Sequence, residues 1–333
     1  MRTSRLTTPA ILALLLLTAA LAPGCGRKPG SRQASAAPTD AEFSVMSYNL
    51  GRYSLADRDG DGQKNDPKPA SEREALIRII ASTQPDILTV QEIGSPSVFE
   101  EFRYALRVAG LDYEHTEYLQ RGQSEINMAV LSRFPIVSRQ PHTDDTYTIG
   151  EAKIPVLRGF LDVEIEVNPD YTIRLIGAHL KSKVFHALGQ TEMRRNEARL
   201  LNKHVRRILK DSPDENLLVI GDLNDTYESA PLREIMGGRE TGLNDLRPGD
   251  AAGAVWTHFS SGIDQYERID YALVSRGLQP EVVSSKTHVL SDPQTYEASD
   301  HRPLIIVING RDTTSATVPA VHPQSPQRAE ETD

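Results

Sequence analysis

Apolar residues in this chain gather in short runs of two kinds. One kind alternates with polar positions or closes into a brief continuous stretch: Phe43 to Asn49, Ile87 to Gln91, Tyr113 to Tyr118, Asn127 to Ser132, Gly159 to Val167, Tyr171 to Leu180, Leu217 to Ile220, Ile269 to Val274, Val282 to Leu290 and Leu304 to Ile308. Each predicts a strand. Asn168-Pro169-Asp170 reads as the turn between two of them.

The other kind repeats at helical spacing. Ser71 to Thr83 places Leu76, Ile79, Ile80 and Thr83 on one face, with Ser71 and Glu74 as a capping box and Pro85 as the stop. Val98 to Ala109 is a second helix, closed by Gly110. The longest, Gln190 to Lys210, buries Leu201, Val205, Ile208 and Leu209. Its other face carries Arg194, Arg195, Arg199, Lys203, Arg206 and Arg207, which fits a solvated face, with contact to phosphates as the alternative. Strands outnumber helices, and the helices are well separated. That predicts an α+β fold: two packed sheets flanked by helices, a four-layer sandwich.

The ends of the chain read differently. Arg2 and Arg5 precede an apolar run from Ala10 to Leu21, then Ala22-Pro23-Gly24-Cys25. The run falls short of the roughly 20 residues a membrane span needs. Charged start, apolar middle and small residues have the layout of a secretory signal over residues 1–24. Cys25 is the sole cysteine, and its place resembles that of the lipid-bearing cysteine of a bacterial lipobox, with ordinary secretion as the alternative. Gly26 then favours the outer membrane or cell surface over the inner membrane. Residues 25–41 read as the lipidated Cys25 and a flexible tether, and 310–333, rich in Thr, Pro, Gln and Glu, as a disordered tail. One domain over 42–309 is expected between them, acting as a monomer.

Charge and cysteine content narrow the chemistry. With one cysteine the domain forms no internal disulfide and stands on its core. The formal charge is −9, and loss of Arg2 and Arg5 leaves −9 − 2 = −11. A dedicated, sequence-independent DNA binder usually shows a basic surface, so this balance points elsewhere.

Acidic and amide residues recur at strand ends: Asn49, Glu92, Asp222, Asn224, Asp270 and Asp300. One such residue is ordinarily a turn former. Six beside short apolar strands can gather at one edge of a sandwich and hold a hard cation such as Mg²⁺ through oxygen. A zinc site is not expected without a second cysteine or a close histidine pair. Metal, histidine and an unliganded carboxylate together suit attack of water on phosphorus.

Six segments then carry a resemblance: Ser47-Tyr48-Asn49, Val90-Gln91-Glu92, Ala178-His179-Leu180-Lys181-Ser182, Gly221-Asp222-Leu223-Asn224, Arg268-Ile269-Asp270-Tyr271 and Ser299-Asp300-His301-Arg302-Pro303. In order and spacing, over residues 46 to 303, they resemble the endonuclease/exonuclease/phosphatase superfamily. That resemblance implies a DNase I-like α/β/β/α sandwich of two mixed sheets and Mg²⁺-dependent hydrolysis of phosphoesters, with Mn²⁺ as a substitute. It implies that Glu92, Asn49 and Asp300 hold the metal, and that Asp222 orients and deprotonates the attacking water beside Asn224. It also implies that Asp270 fixes the tautomer and charge of His301 against the phosphate. His179 is then expected on the other side, stabilising charge or protonating the leaving oxygen.

Several features lie outside those segments. Asp57, Asp59, Asp61 and Gly62 match the first half of an EF-hand loop, but Lys68 stands where a bidentate Glu belongs. A Ca²⁺ loop and a solvated Asp/Gly loop both remain open there. Asn127 can touch phosphate, although a packed strand accounts for its run. Arg158 can reach an anionic substrate, with a surface arginine as the default. His115, His142 and His258 carry no motif and are expected to be structural or exposed, and Trp256 to pack in the core.

Function follows at the level of reaction type. The leading expectation is an exported, membrane-anchored phosphoesterase whose substrate is a nucleic acid, a phospholipid or a small phosphoester. The alternatives are a non-catalytic surface binding module on the same fold and a calcium-stabilised structural lipoprotein.

Overall fold

In β1 (Glu42–Tyr53), successive side chains enter different cores: Phe43 and Val45 point one way, Met46, Tyr48 and Leu50 the other. A strand buried on both faces reads as a nearly continuous apolar run, which explains the pattern seen along this chain. The computed structural model describes residues 42–313 except 123, 239 and 240. The expected signal, the tether with Cys25 and the tail from residue 314 onward lie outside the described residues.

After β1 come α1 (Ala70–Thr83), β2 (Ile87–Ile93), α2 (Pro96–Val108), β3 (His115–Leu119), β4 (Asn127–Ser132) and β5 (Ile136–Arg139). A hairpin of β6 (Thr146–Ile149) and β7 (Ala152–Pro155) leads to β8 (Phe160–Asn168), β9 (Tyr171–His179) and α3 (Gln190–Asp211). Then follow β10 (Leu217–Asp222), α4 (Ala230–Met236), β11 (Asn244–Asp245) and a second hairpin, β12 (His258–Ser260) with β13 (Gln265–Glu267). The chain closes with β14 (Asp270–Val274), β15 (His288–Val289), α5 (Thr295–Ala298) and β16 (Leu304–Asn309).

Two six-stranded sheets result, ordered β15-β16-β1-β2-β4-β3 and β11-β14-β10-β9-β8-β5. Both mix parallel and antiparallel neighbours. Val45, Val130, Leu175, Ile220 and Ile306 are among the residues filling the space between them. Met46, Leu88 and Ile305 turn outward onto Leu76 and Ile80 of α1 and Phe102 of α2. Ile176 and Val219 meet Leu201 and Val205 of α3. The expected four-layer sandwich is therefore the observed one. Each buried aliphatic or aromatic side chain contributes about 1.5–3 kcal/mol.

Register brings the functional positions to one edge. In the second sheet β9 and β10 are parallel, with His179 level with Asp222, and antiparallel β14 places Asp270 opposite Asp222. In the first, β16 runs antiparallel to β1 with Leu304 opposite Ser47, so the segment before β16 starts where β1 ends. Gly221 makes this edge compact. Its φ is 138°, and a Cβ there would stand 2.1 Å from the carbonyl oxygen of Ala178.

Several local expectations need correction. α1 starts at Ala70 with Pro69 at its N-cap and no side-chain cap, so Ser71 lies inside the first turn and no capping box forms. Of the strand expected over Val282 to Leu290, only His288–Val289 forms one; a 3₁₀ turn at Gln279–Glu281 and the polar Ser284-Ser285-Lys286 stretch displace the rest. Arg194 is not on the solvated face of α3 but 3% exposed. The β6–β7 and β12–β13 hairpins had no apolar period strong enough to announce them.

Candidate active site

Each catalytic candidate is held by its neighbours in the sheet. Asp222 ends β10 and is 2% exposed. Its Oδ1 accepts the Asn224 backbone N–H at 2.8 Å, a turn closed by the left-handed backbone of Asn224 (φ 54°). Its Oδ2 accepts the side-chain amides of Asn49 at 3.0 Å and Asn224 at 3.2 Å. The Asn49 bond joins the two sheets across 173 residues of sequence. His179 Nε2 lies 3.5 Å and His301 Nε2 3.9 Å from the same oxygen.

Behind His301, its Nδ1 meets Asp270 Oδ2 at 2.8 Å. Asp270 is fixed in turn because its own N–H and that of Ile269 both donate to the hydroxyl of buried Thr257. Ser299 ties this unit to the other sheet: its hydroxyl donates to the Asn49 carbonyl and accepts the His301 N–H. Arg268 and Tyr271 build the frame, the guanidinium being paired with Asp245 at 2.6 Å and stacked 4.4 Å from the Tyr271 ring.

Electrostatics follow from that burial. Burial, then the charge of Asp270, push the Asp222 carboxyl up to about 7, against the opposing charge of His301. Burial alone would lower the His301 pKa, but Asp270, aided by Asp222 and Asp300, pushes it up to about 10. His179 goes the other way. Burial, followed by the nearby charges of Arg158 and His301, holds it well below the ordinary histidine value, and its Nδ1 has no hydrogen-bond partner among the described residues. Its Nε2 faces Asp222 Oδ2 at 3.5 Å and Glu92 Oε1 at 3.8 Å.

The oxygen-rich side is more open. A bulge at the end of β2 gives Glu92 a φ of 62°, and its Oε2 accepts the Arg52 N–H at 2.9 Å. Its Oε1 lies 3.8 Å from His179 Nε2. Asn49 Oδ1 accepts the Gly51 N–H at 3.1 Å. Asp300 is 57% exposed at its side chain and stands 3.6 Å from His258. Desolvation by close neighbours opposes its charge, but the imidazoles of His258 and His301 hold its carboxyl well below the usual carboxylate range.

Glu92, Asp222, Asn224, Asp300 and His301 line one cleft of about 580 Å³. Of its cationic side chains, Lys68 and Lys183 are already paired with Glu72 and Glu267. Oxygens of Glu92, Asp222, Asn224 and Asp300 face the cleft, and the Asp222 carboxyl is raised by burial first and by Asp270 second. A divalent cation fits this donor set. Glu92 and Asp300 bring their carboxylates to this cleft, and Asn49 lies behind it, bonded to Asp222.

Some residues took other places than expected. Arg158 is not a surface arginine: it lines the cleft and donates to the Leu180 carbonyl at 2.9 Å. His258, without a motif of its own, lies tilted against the His301 ring at 4.6 Å and lines the cleft; only its place beside Trp256 and Thr257 hinted at this. Trp256 is half-buried beneath the Arg302 guanidinium, at 4.1 Å, rather than in the core. Asn127 spends its amide on the carbonyls of Gly94 and Ser124. His142 is structural, paired with Asp162 and stacked on His204. In the Asp57 loop, Asp57, Asp59 and Asp61 offer oxygens within 4.8 Å of one another, all exposed. Those carboxylates accept backbone N–H groups of their own loop, and Lys68 turns away to the Gly51 carbonyl and Glu72.

Solved structures share this architecture at low identity. Truncated TDP2 from Caenorhabditis elegans is 17% identical with a TM-score of 0.54, over 80% of this chain and 97% of that one. A beta toxin variant from Staphylococcus aureus with bound magnesium ions is 17% identical with a TM-score of 0.57, over 80% and 99%. Sphingomyelinase C from Streptomyces griseocarneus is 17% identical with a TM-score of 0.53, over 81% and 100%. Among curated proteins, none matches the chain by sequence. The profile of the Endonuclease/Exonuclease/phosphatase family matches residues 46–301, and the chain belongs to that family.

Proposed function

We propose that this chain hydrolyses phosphoesters with a divalent metal, Mg²⁺ or in its place Mn²⁺, by attack of a water activated at Asp222. The carrying observation is one buried carboxylate faced by a charged imidazole. Asp222, oriented by Asn49 and Asn224, is poised near neutrality to take a proton, and His301 is held charged by Asp270 on the same cleft. A water between them loses its proton to Asp222 as its oxygen bonds to phosphorus, the ester P–O bond breaks and the leaving oxygen takes up a proton, while His301 faces the charge that develops on the phosphate oxygens. His179, 3.5 Å from Asp222, stabilises the developing charge or protonates the leaving oxygen. Glu92, Asn49 and Asp300 would hold the metal, which when bound would supply Lewis-acid charge, and Arg158 adds a positive charge to the cleft.

What the similar structures are named for supports a phosphoester of nucleic acid or phospholipid type: TDP2 from D. rerio is complexed with a single-stranded DNA product, and another is a sphingomyelinase C. On the sequence of residues 1–41 we place the domain outside the cytoplasm, anchored through lipid on Cys25. Palmitate labelling that persists in Cys25→Ser would remove that placement.

The test of the activity is turnover by the full chain of DNA, RNA, sphingomyelin, inositol phosphates and bis(4-nitrophenyl) phosphate, each with Mg²⁺, Mn²⁺, Ca²⁺ or chelator. Metal-dependent turnover of at least one is expected, lost in Asp222→Ala and in His301→Ala. No turnover of any would return the chain to the non-catalytic binding module.

A further inference from the structure

α3 carries a buried polar stripe that neither its apolar face nor its basic face explains. Glu197 is 1% exposed and Arg194 3%. A carboxylate and a guanidinium are costly to bury, and an apolar pair would seal the same helix to the sheet more easily. Their contacts converge on one residue of the loop after β9. Glu197 Oε2 accepts the Lys181 N–H at 2.7 Å, and Arg194 Nη1 donates to the Lys181 carbonyl at 3.0 Å. Both polar groups of that backbone position are therefore held from the helix.

The adjoining peptide is where the active site hangs. The Leu180 carbonyl accepts both the Asn224 side-chain amide at 3.0 Å and Arg158 Nη1 at 2.9 Å, and the Leu180 N–H donates to the Asp222 carbonyl at 3.0 Å. The two helix residues also reach the same groups from behind. Glu197 Oε1 accepts the N–H of Leu157, next to Arg158, at 3.2 Å, and Arg194 Nε donates to Asp225, next to Asn224, at 2.8 Å. Each is thus tied to the catalytic groups by two routes.

We infer that Glu197 and Arg194 are positioning residues for the reaction: through the Leu180–Lys181 backbone they set Arg158 against the substrate phosphate and Asn224 against Asp222. This rests on the phosphoesterase reading above. It separates two halves of the site, because Asn49, Glu92 and Asp300 depend on β1, β2 and the segment before β16, which α3 does not touch through these bonds.

The experiment is a double-mutant cycle on the full chain with bis(4-nitrophenyl) phosphate and Mn²⁺. Glu197→Gln keeps the volume but turns a donor toward one of the two N–H groups. It is expected to lower kcat by about 10²-fold, the scale of an ångström-size misplacement. Mn²⁺ affinity by calorimetry should stay within about twofold, because no metal-holding residue hangs on this backbone. On an Arg158→Gln background the same change should cost at least about tenfold less, since part of its effect runs through Arg158. Equal losses on both backgrounds, or a parallel fall in Mn²⁺ affinity, overturn the inference by showing general loosening. Where Glu197→Gln fails to fold, Arg194→Lys carries the same cycle. A wild-type chain without turnover overturns the phosphoesterase reading and this inference together, whereas turnover with an additive cycle overturns only the inference.

Discussion

The two sheets furnish the cleft in contrasting ways. The first presents Glu92 and, from the segment before β16, Asp300: carboxylates with 19% and 57% of their side chains exposed, steadied by few bonds. The second presents Asp222 and Asp270, at 2% and 4%, whose carboxylates are bound by the amides of Asn49 and Asn224 and by the His301 imidazole. The contrast is one of burial: the first sheet leaves its carboxylates open to the cleft, and in the second burial raises the proton affinity of Asp222.

The sharpest way to break that contrast is to remove the closed side's base. Asp222→Ala should lower kcat by about 10⁴-fold, the upper range for general acid–base groups, while Tm stays level or rises because a buried carboxyl is gone. A residual rate near wild type would move the base elsewhere. Gly221→Ala tests the packing beneath it. With the added Cβ driven against the Ala178 carbonyl, unfolding in urea should show a loss of roughly 3 kcal/mol or more. Next, Glu92→Gln should weaken Mn²⁺ binding by about 10²-fold, read by calorimetry, and leave the pH profile of the residual rate in place. A shifted profile with intact affinity would reverse the roles of the two sides.

Proton affinity gives a subtler probe. The Asp222 carboxylate forms as pH rises through about 7, and lower still with a cation beside it. His301 keeps its charge until pH approaches about 10. Activity should therefore rise on the acid side and fall on the basic side. Asp270→Asn removes the partner that holds His301 charged, so the basic limb should move down toward the ordinary histidine value of about 6.5. A basic limb that stays near 10 would detach His301 from it. The smallest effect is expected from Asp57, Asp59 and Asp61 changed together to Asn, which should leave kcat within about twofold, because exposed loop carboxylates contribute little.

Much of this arrangement was legible in the sequence, for physical reasons. Strands such as β4 and β10 are apolar along most of their length, so their runs stand out, and residues directly before or after an apolar run sit at a sheet edge. Asp222, Asp270 and His301 are visible on that ground. What stayed hidden depends on contacts between distant segments. Arg158 and His258 follow short or irregular pieces, and nothing local says that the first folds over the Leu180 carbonyl or that the second packs against His301. Glu197 and Arg194 were masked by the helix period, which assigns charged residues to solvent. The bulge that turns Glu92 is likewise a property of three paired strands rather than of Val90-Gln91-Glu92 alone.

The place of β16 has a consequence for timing. Its residues, 304–309, pair with β1, the first described strand, so the chain's beginning waits for its end. During synthesis Asn49 is made early and Asp222 much later, while His301 and the strand that seats it come among the last residues of the domain. Until they arrive, one edge of β1 lies open and the proton-moving half lacks its imidazole. An incomplete chain therefore has no working cleft, and catalytic competence switches on only once the whole domain has been made and its ends have met.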